Sequence, residues 1–340
     1  MSLFAAVLIF TGAALVIILA GTALTKYADK IADKTGLGEA LVGAVFLGGV
    51  TSISGIITSV VAAYNNYPEL AISNAIGGIA AQTVFLSIAD ISYPKANLEH
   101  ASASLANLMQ GVLLLGLLSL VILGIASPDI SWLNVHPFSF AIILVYLGGT
   151  RMIAHAKKEP LWNPQETLST VKDIPVKDNI EHTSLSRLLI RFALLSVLVA
   201  GAGYAIAMSG ITIADKTNLS QSFVGAMFTA VATSLPELII SLAAVRQRAL
   251  TLAVGNIIGG NSFDVLFVAF SDIAYQEGSI LHSITNSQSF IIALTMLMAS
   301  VLIMGLLHRQ RKGFANIGWE SALIIVLYIG GNVMLYFFQG

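Results

Sequence analysis

About 20 consecutive apolar residues make a helix long enough to cross a bilayer, and this sequence contains ten such runs. They fall near residues 3–25, 37–63, 70–91, 102–126, 136–154, 187–210, 219–245, 252–273, 286–307 and 317–337. Hydrocarbon offers no water to backbone N–H and C=O groups, so each run must satisfy its own hydrogen bonds as a helix. Only 10% of the residues are charged and 56% are hydrophobic, whereas a soluble domain carries about 25% charge. The chain therefore reads as an all-α integral membrane protein. A net charge of -1 argues against a nucleic-acid partner, leaving the lipid bilayer and small solutes. The absence of cysteine excludes disulfides and thiolate metal sites. No basic residue precedes the first run, which is long for a signal peptide and reads as a retained helix.

Threading the chain through ten spans puts all 17 lysines and arginines except Lys216 on one side. By the positive-inside rule that side is cytoplasmic and both termini lie outside, in a multi-pass protein of the cell membrane. The polar, proline-rich stretch 155–186 reads as a cytoplasmic loop between two halves, 1–154 and 187–340.

The halves repeat one another. Ile31-Ala32-Asp33-Lys34-Thr35 recurs as Ile213-Ala214-Asp215-Lys216-Thr217, and the register holds without a gap to Asp90-Ile91 and Asp272-Ile273. Val42-Gly43-Ala44 matches Val224-Gly225-Ala226, Thr51-Ser52 matches Thr233-Ser234, and Asn74 with Gly77-Gly78 matches Asn256 with Gly259-Gly260. About two positions in five are identical, too many in one register for shared composition alone. Five spans separate the copies, so the second is upside down. The expected fold is ten transmembrane helices in two inverted five-helix repeats, with broken helices at the midplane. That plan places a site between the copies.

Thr233-Ser234-Leu235-Pro236-Glu237 lies inside the seventh run. A carboxylate costs several kcal/mol at membrane depth and normally has a job there. Pro236 lacks an N–H and crowds the carbonyl of Ala232, so a helix break is expected just before Glu237. In the next run Asn256, Gly260 and Asp264 share a face. Carboxylates, hydroxyls and carbonyls are hard oxygen donors suited to Na⁺ or Ca²⁺, with Glu237 and Asp264 as the charged metal ligands. The first copy offers Thr51, Ser52, Ser54, Ser59, Asn74 and Gln82, but Gly55 in place of Glu237, and Gln82 in place of Asp264. Gly55, with Gly48 and Gly49, can loosen its helix. Asn256, Ser241 and Gln82 read equally well as cation donors and as polar glue between helices. Asp90 and Asp272 close their spans and read as end caps or gate partners. Glu39 and Gln221 open theirs. No histidines stand at metal-ligand spacing, and no nucleophile–base pair points to an enzyme.

Thr233-Ser234-Leu235-Pro236-Glu237, followed by Gly255-Asn256-Ile257-Ile258-Gly259-Gly260-Asn261-Ser262-Phe263-Asp264, resembles the second alpha-repeat of the cation/calcium antiporter superfamily, and within it the prokaryotic sodium/calcium exchangers. The resemblance implies alternating access, with Ca²⁺ moved against Na⁺ or H⁺. It implies that Glu237 binds Ca²⁺ and that Asp264 or Gln82 assists. It covers the chain in plan, and in motif about 37–91 and 219–273. The family normally has a second glutamate where Gly55 stands, and often serine where Gly78 and Gly260 stand. A cation/proton antiporter, and a non-transporting relative that binds or senses an ion, are the alternatives.

Overall fold

The computed structural model describes residues 1–35, 48–102, 104–158, 160–171, 184–313 and 317–337. Within them the regular structure is helical, apart from one isolated bridge between Trp132 and Val135. The first span is α1 (Leu3–Val16), a π-helical turn over Ile17–Gly21, and α2 (Thr22–Thr35). There follow α3 (Ile53–Tyr64), α4 (Pro68–Ile91), the short α5 (Leu98–Ala101), α6 (Leu105–Ala126) and α7 (Pro137–Lys158). The second half holds α8 (Leu185–Lys216), the short α9 (Gln221–Phe223), a π-helical segment Val224–Thr229 and α10 (Ala230–Arg246). It ends with α11 (Leu250–Asp264), α12 (Leu266–Ala274), α13 (Asn286–His308) and α14 (Trp319–Phe337). Nine described helical segments are long and apolar enough to cross a membrane, and the tenth span is represented by α3 with helical residues 48–51 before it. Glu39 and the Val42-Gly43-Ala44 match lie outside the described residues.

Burial separates the helices into two kinds. In α4, 89% of the most apolar window is inside the protein, and in Leu250–Ala274 72%, against 22% in Leu185–Lys216 and in Pro137–Lys158. The repeat-bearing helices are thus the centre, and the others face lipid. α4 can occupy the centre because its sequence is rich in Ala, Gly and Ser, which let backbones approach closely. A Cβ on Gly77 would lie 2.5 Å from the Cα of Ala226, and one on Gly225 would lie 2.7 Å from the carbonyl oxygen of Leu70. Pro68 at the first turn supplies the preset φ and loses no hydrogen bond there. α1 packs on α8 outside this core, α3 packs on both α8 and α4, and α10, α11, α13 and α14 also pack on α4.

Two corrections concern the expected breaks. The helix runs through Pro236 rather than ending at Ala232, and the irregular backbone sits a turn and a half earlier, in the π-helical segment Val224–Thr229. The Pro236 ring packs on the first span at Gly21, where a Cβ would come within 2.9 Å of its Cγ. In the first copy the interruption is the turn at Ser52, and Gly55 lies inside α3. A third interruption, at Val265, separates α11 from α12.

The inverted repeat also extends beyond the matching motifs. Asp90 at the end of α4 accepts from the Leu98 N–H (2.6 Å), the Gly318 N–H (3.3 Å) and the Ser321 hydroxyl (3.0 Å). Asp272 near the end of α12 accepts from the Ile280 N–H (2.8 Å), the His136 N–H (2.7 Å) and the Ser139 hydroxyl (2.6 Å). Each partner of one aspartate stands in the repeat register of a partner of the other. Each aspartate so staples a central helix of its own half to the first turn of the last helix of the other half. The charge also complements the positive end of that helix.

Candidate cation site

Four interrupted or tightly packed segments bring polar side chains to one point at the middle of the bundle. The cavity there is lined by Ser52, Gly55, Asn74, Gly78, Gln82, Thr233, Ser234, Glu237, Asp264 and Phe267. Its volume is about 10 Å³, room for one water-sized particle. Glu237 and Asp264 are only 8% and 2% exposed. Two buried carboxylates repel each other far more than they would in water, and a cation between them relieves both the repulsion and the lost hydration.

Asp264 is held by donors from the opposite repeat. The Ser52 hydroxyl donates to its Oδ1 at 2.6 Å and the Gln82 amide to its Oδ2 at 2.6 Å. The same Gln82 amide reaches Ser234 Oγ at 3.4 Å. With its amide nitrogen so engaged, Gln82 leaves its Oε1 buried and without a hydrogen-bond partner among the described residues, and Glu237 Oε2 is in the same condition. These two oxygens are the free hard donors of the cavity, one from each repeat. Among the described residues no group of three His, Cys, Asp or Glu side chains is arranged to hold a metal ion, so a cation here would rest on two carboxylates and neutral oxygens.

The other expected donors divide. Thr233 lines the cavity, but its hydroxyl proton goes to its own helix, to the carbonyls of Thr229 (2.9 Å) and Ala230 (3.2 Å). Thr51 does the same toward Gly48 (3.0 Å) and does not line the cavity. Asn74 lines it and is tied down by Ser59 Oγ (2.8 Å), the Gly55 carbonyl (3.3 Å) and the Thr229 hydroxyl (2.7 Å). Asn256, its counterpart, is exposed and stands away from the cavity, two turns from Asp264. Its expected place among the cation donors is corrected accordingly. Ser241, the counterpart of Ser59, is buried with no hydroxyl partner among the described residues.

One residue offered by the first copy takes another role, and one contributor escaped the sequence reading. Ser54 donates to the Thr233 carbonyl (3.2 Å), a bond from the first repeat to the second beside the cavity. Phe267 fills the space a side chain at position 55 would need, since a Cβ on Gly55 would lie 2.7 Å from its Cε2. The missing first-copy glutamate was the available signal, because a core leaves no such gap empty. Gly78 and Gly260 are roomier: added Cβ atoms would sit 3.4 Å from Ser234 Oγ and 3.5 Å from Gln82 Oε1, ordinary contact distances.

The sequence model of the family described as sodium/calcium exchanger protein matches residues 5–150 and 187–337. An uncharacterised membrane protein of Methanocaldococcus jannaschii is 26% identical over 306 residues, 88% of each chain. Among solved structures, a crystal structure of the H⁺/Ca²⁺ exchanger CAX superposes with a TM-score of 0.73 at 13% identity, covering 98% of this chain and 85% of that one. The sodium-calcium exchanger NCX_Mj, soaked with Na⁺ and no Ca²⁺, superposes with a TM-score of 0.61 at 20% identity, covering 96% and 98%.

Proposed function

The chain belongs to the sodium/calcium exchanger protein family, whose members are transporters and not enzymes, and from that premise we propose that this secondary active cation antiporter exchanges Ca²⁺ for Na⁺ at the cavity between Glu237 and Asp264. The observation that carries the reading is the meeting of two carboxylates with oxygens from both inverted repeats around room for one ion. A charge of about -2 in that space balances one divalent ion or two monovalent ones, so the two cargoes compete for the same donors. Glu237 and Gln82 offer the unengaged oxygens, and Ser52 and Ser234 add hydroxyls. Rocking of one repeat against the other would open the site to each side in turn.

Proton-coupled exchange is the second reading, favoured by one contrast. Asp264 accepts two short hydrogen bonds that stabilise its charged form, whereas Glu237 Oε2 has no donor among the described residues. Glu237 is then the proton carrier. Flux in proteoliposomes under imposed Na⁺, Ca²⁺ and pH gradients separates the readings. Under either one, Glu237→Gln keeps the shape, removes one charge, and is expected to lower cation-driven flux to background while the protein still purifies folded. Full flux in that variant would remove the site assignment.

A further inference from the structure

The face of the molecule carrying Lys95, Arg311 and Lys312 is closed by a buried group of acids. Asp90 ends α4, Glu99 lies in α5 and Glu320 opens α14, with exposures of 0%, 1% and 0%. Asp90 is fully engaged by the staple described above. Glu99 and Glu320 are different. Their carboxyl groups meet one another, yet Glu99 Oε2 and both Glu320 oxygens have no hydrogen-bond partner among the described residues. Ionised carboxylates are acceptors only, so two of them in contact need a proton or a cation between them.

A second feature points the same way. Asn97 is 1% exposed and its Nδ2 has no partner among the described residues. It stands beside Glu320: a Cβ on Gly318 would lie 2.6 Å from Glu320 Oε1 and 3.1 Å from Asn97 Nδ2. An amide donor turned into the group suits carboxyl oxygens and is the wrong sign for a metal ion. The protein also makes room for the acid, since a Cβ on Gly305 of α13 would lie 2.6 Å from Glu320 Cγ. Nearby cations do not neutralise the pair. His308 ends α13 and is exposed. His100 is engaged by the Arg309 carbonyl (2.5 Å) and the Thr167 hydroxyl (2.9 Å), and Arg309 turns to the Gln165 carbonyl (2.6 Å), the His100 carbonyl (3.1 Å) and Thr170 (3.2 Å). Arg311, Lys312 and Lys95 are exposed, and α11 meets α5 through Leu250 and Ala253.

The inverted repeat supplies the control. In the repeat register Glu99 corresponds to Leu281 and Glu320 to Phe138. On the opposite face those two pack together over Gly124, beneath the same aspartate staple. The fold therefore closes one face with an apolar plug and the other with two acids, so the staple itself does not require them.

We propose that Glu99 and Glu320 form a proton-binding site that holds one shared proton and, while it does, clasps α14 and the 165–171 segment to the end of α4. Burial first, and then the charges of Asp90 and Glu320, hold the Glu99 carboxyl well above the usual glutamate range. Losing the proton leaves a second uncompensated charge beside Asp90 and pushes α5 from α14. Val171 N–H donates to the Ala101 carbonyl (3.0 Å), so the segment between the halves rides on α5. α4 carries Gln82 about 12 Å further along, which links the clasp to the cation cavity mechanically.

The test is the pH dependence of thermal unfolding in detergent, with infrared difference spectra of carboxyl groups. A group whose folded pKa is raised stabilises at low pH, and that stability is lost as pH rises through the folded value. Wild type is expected to lose about 2 °C of Tm per pH unit across that window, and Glu99→Gln to flatten the slope. The protonated-carboxyl band should fall in Glu99→Gln and Glu320→Gln. The fall in slope caused by Glu99→Gln should be the same in a Glu237→Gln background, separating this site from the transport cavity. If Glu99→Gln does not fold, the pair Glu99→Leu with Glu320→Phe, which copies the opposite face, serves as the folded reference. An unchanged slope and band in these variants overturns the proposal. So does a wild-type slope abolished by Na⁺, Mg²⁺ or Ca²⁺ in a manner that requires Glu99, since the ligand is then a metal cation.

Discussion

Position 55 shows how one residue reshapes the site. The family's second carboxylate is absent there, and the ring of Phe267, 3% exposed, occupies its volume. Gly55→Glu alone therefore overpacks the cavity, and is expected to cost about 1–3 kcal/mol of stability and to leave the new carboxylate turned away. Gly55→Glu with Phe267→Ala opens the space, and this pair should bind Ca²⁺ more tightly than wild type. Thermal unfolding with calorimetric Ca²⁺ titration checks both, and a single variant as stable as wild type with tighter Ca²⁺ binding would refute the steric account. Glu237, Asp264, Ser52, Ser234 and Gln82 were legible in sequence because a polar residue at membrane depth needs a reason and the repeat supplied facing partners. Phe267 was not, since an aromatic in an apolar run reads as core. Thr51 was overcounted because a helical threonine hydroxyl always has its own i−3 or i−4 carbonyl in reach.

At the scale of helices, the two copies of one motif stand in different states. Asn74 is locked to Ser59 and Thr229, while Asn256 is exposed and Ser241 Oγ has no partner among the described residues. Exchange of these states between repeats would close Asn256 on Ser241 as Asn74 opens, a population shift that ions bias by binding one state better. The cysteine-free chain makes the test clean. Asn256→Cys should react with a membrane-impermeant thiol reagent from the side that also labels a cysteine placed at Gln165, and Asn74→Cys should resist it. Equal labelling of the two, or labelling of Asn256→Cys from the other side only, would contradict the asymmetry. The sequence placed the helix break at Pro236 because it shows the lost N–H. It does not show the tertiary surroundings of the proline, with Gly21 against the ring where the helix continues.

Across the whole molecule, span number and inversion were legible because apolar length and a long gapless register are properties of the chain itself. The crossed staples of Asp90 and Asp272 were not. They are built largely on backbone N–H groups of Leu98, Gly318, Ile280 and His136, which leave no residue pattern to match. Those staples are equivalent in space and unequal in time. Chains emerge from the ribosome N-terminus first, and Asp90 waits for Gly318 and Ser321, 228 and 231 residues later. At about 5–20 residues per second that delay is roughly 10–45 s. Asp272 instead finds His136 and Ser139 already synthesised, 136 and 133 residues before it. The first half thus stays unfastened until the last helix enters the membrane, and biogenesis carries a late checkpoint that the finished symmetry conceals. A chain stopped before Trp319 should turn over several-fold faster in pulse-chase than full-length protein, and Asp90→Ala should shorten the newborn protein's half-life more than Asp272→Ala. Equal half-lives for these two variants would show that nascent chains do not register the wait.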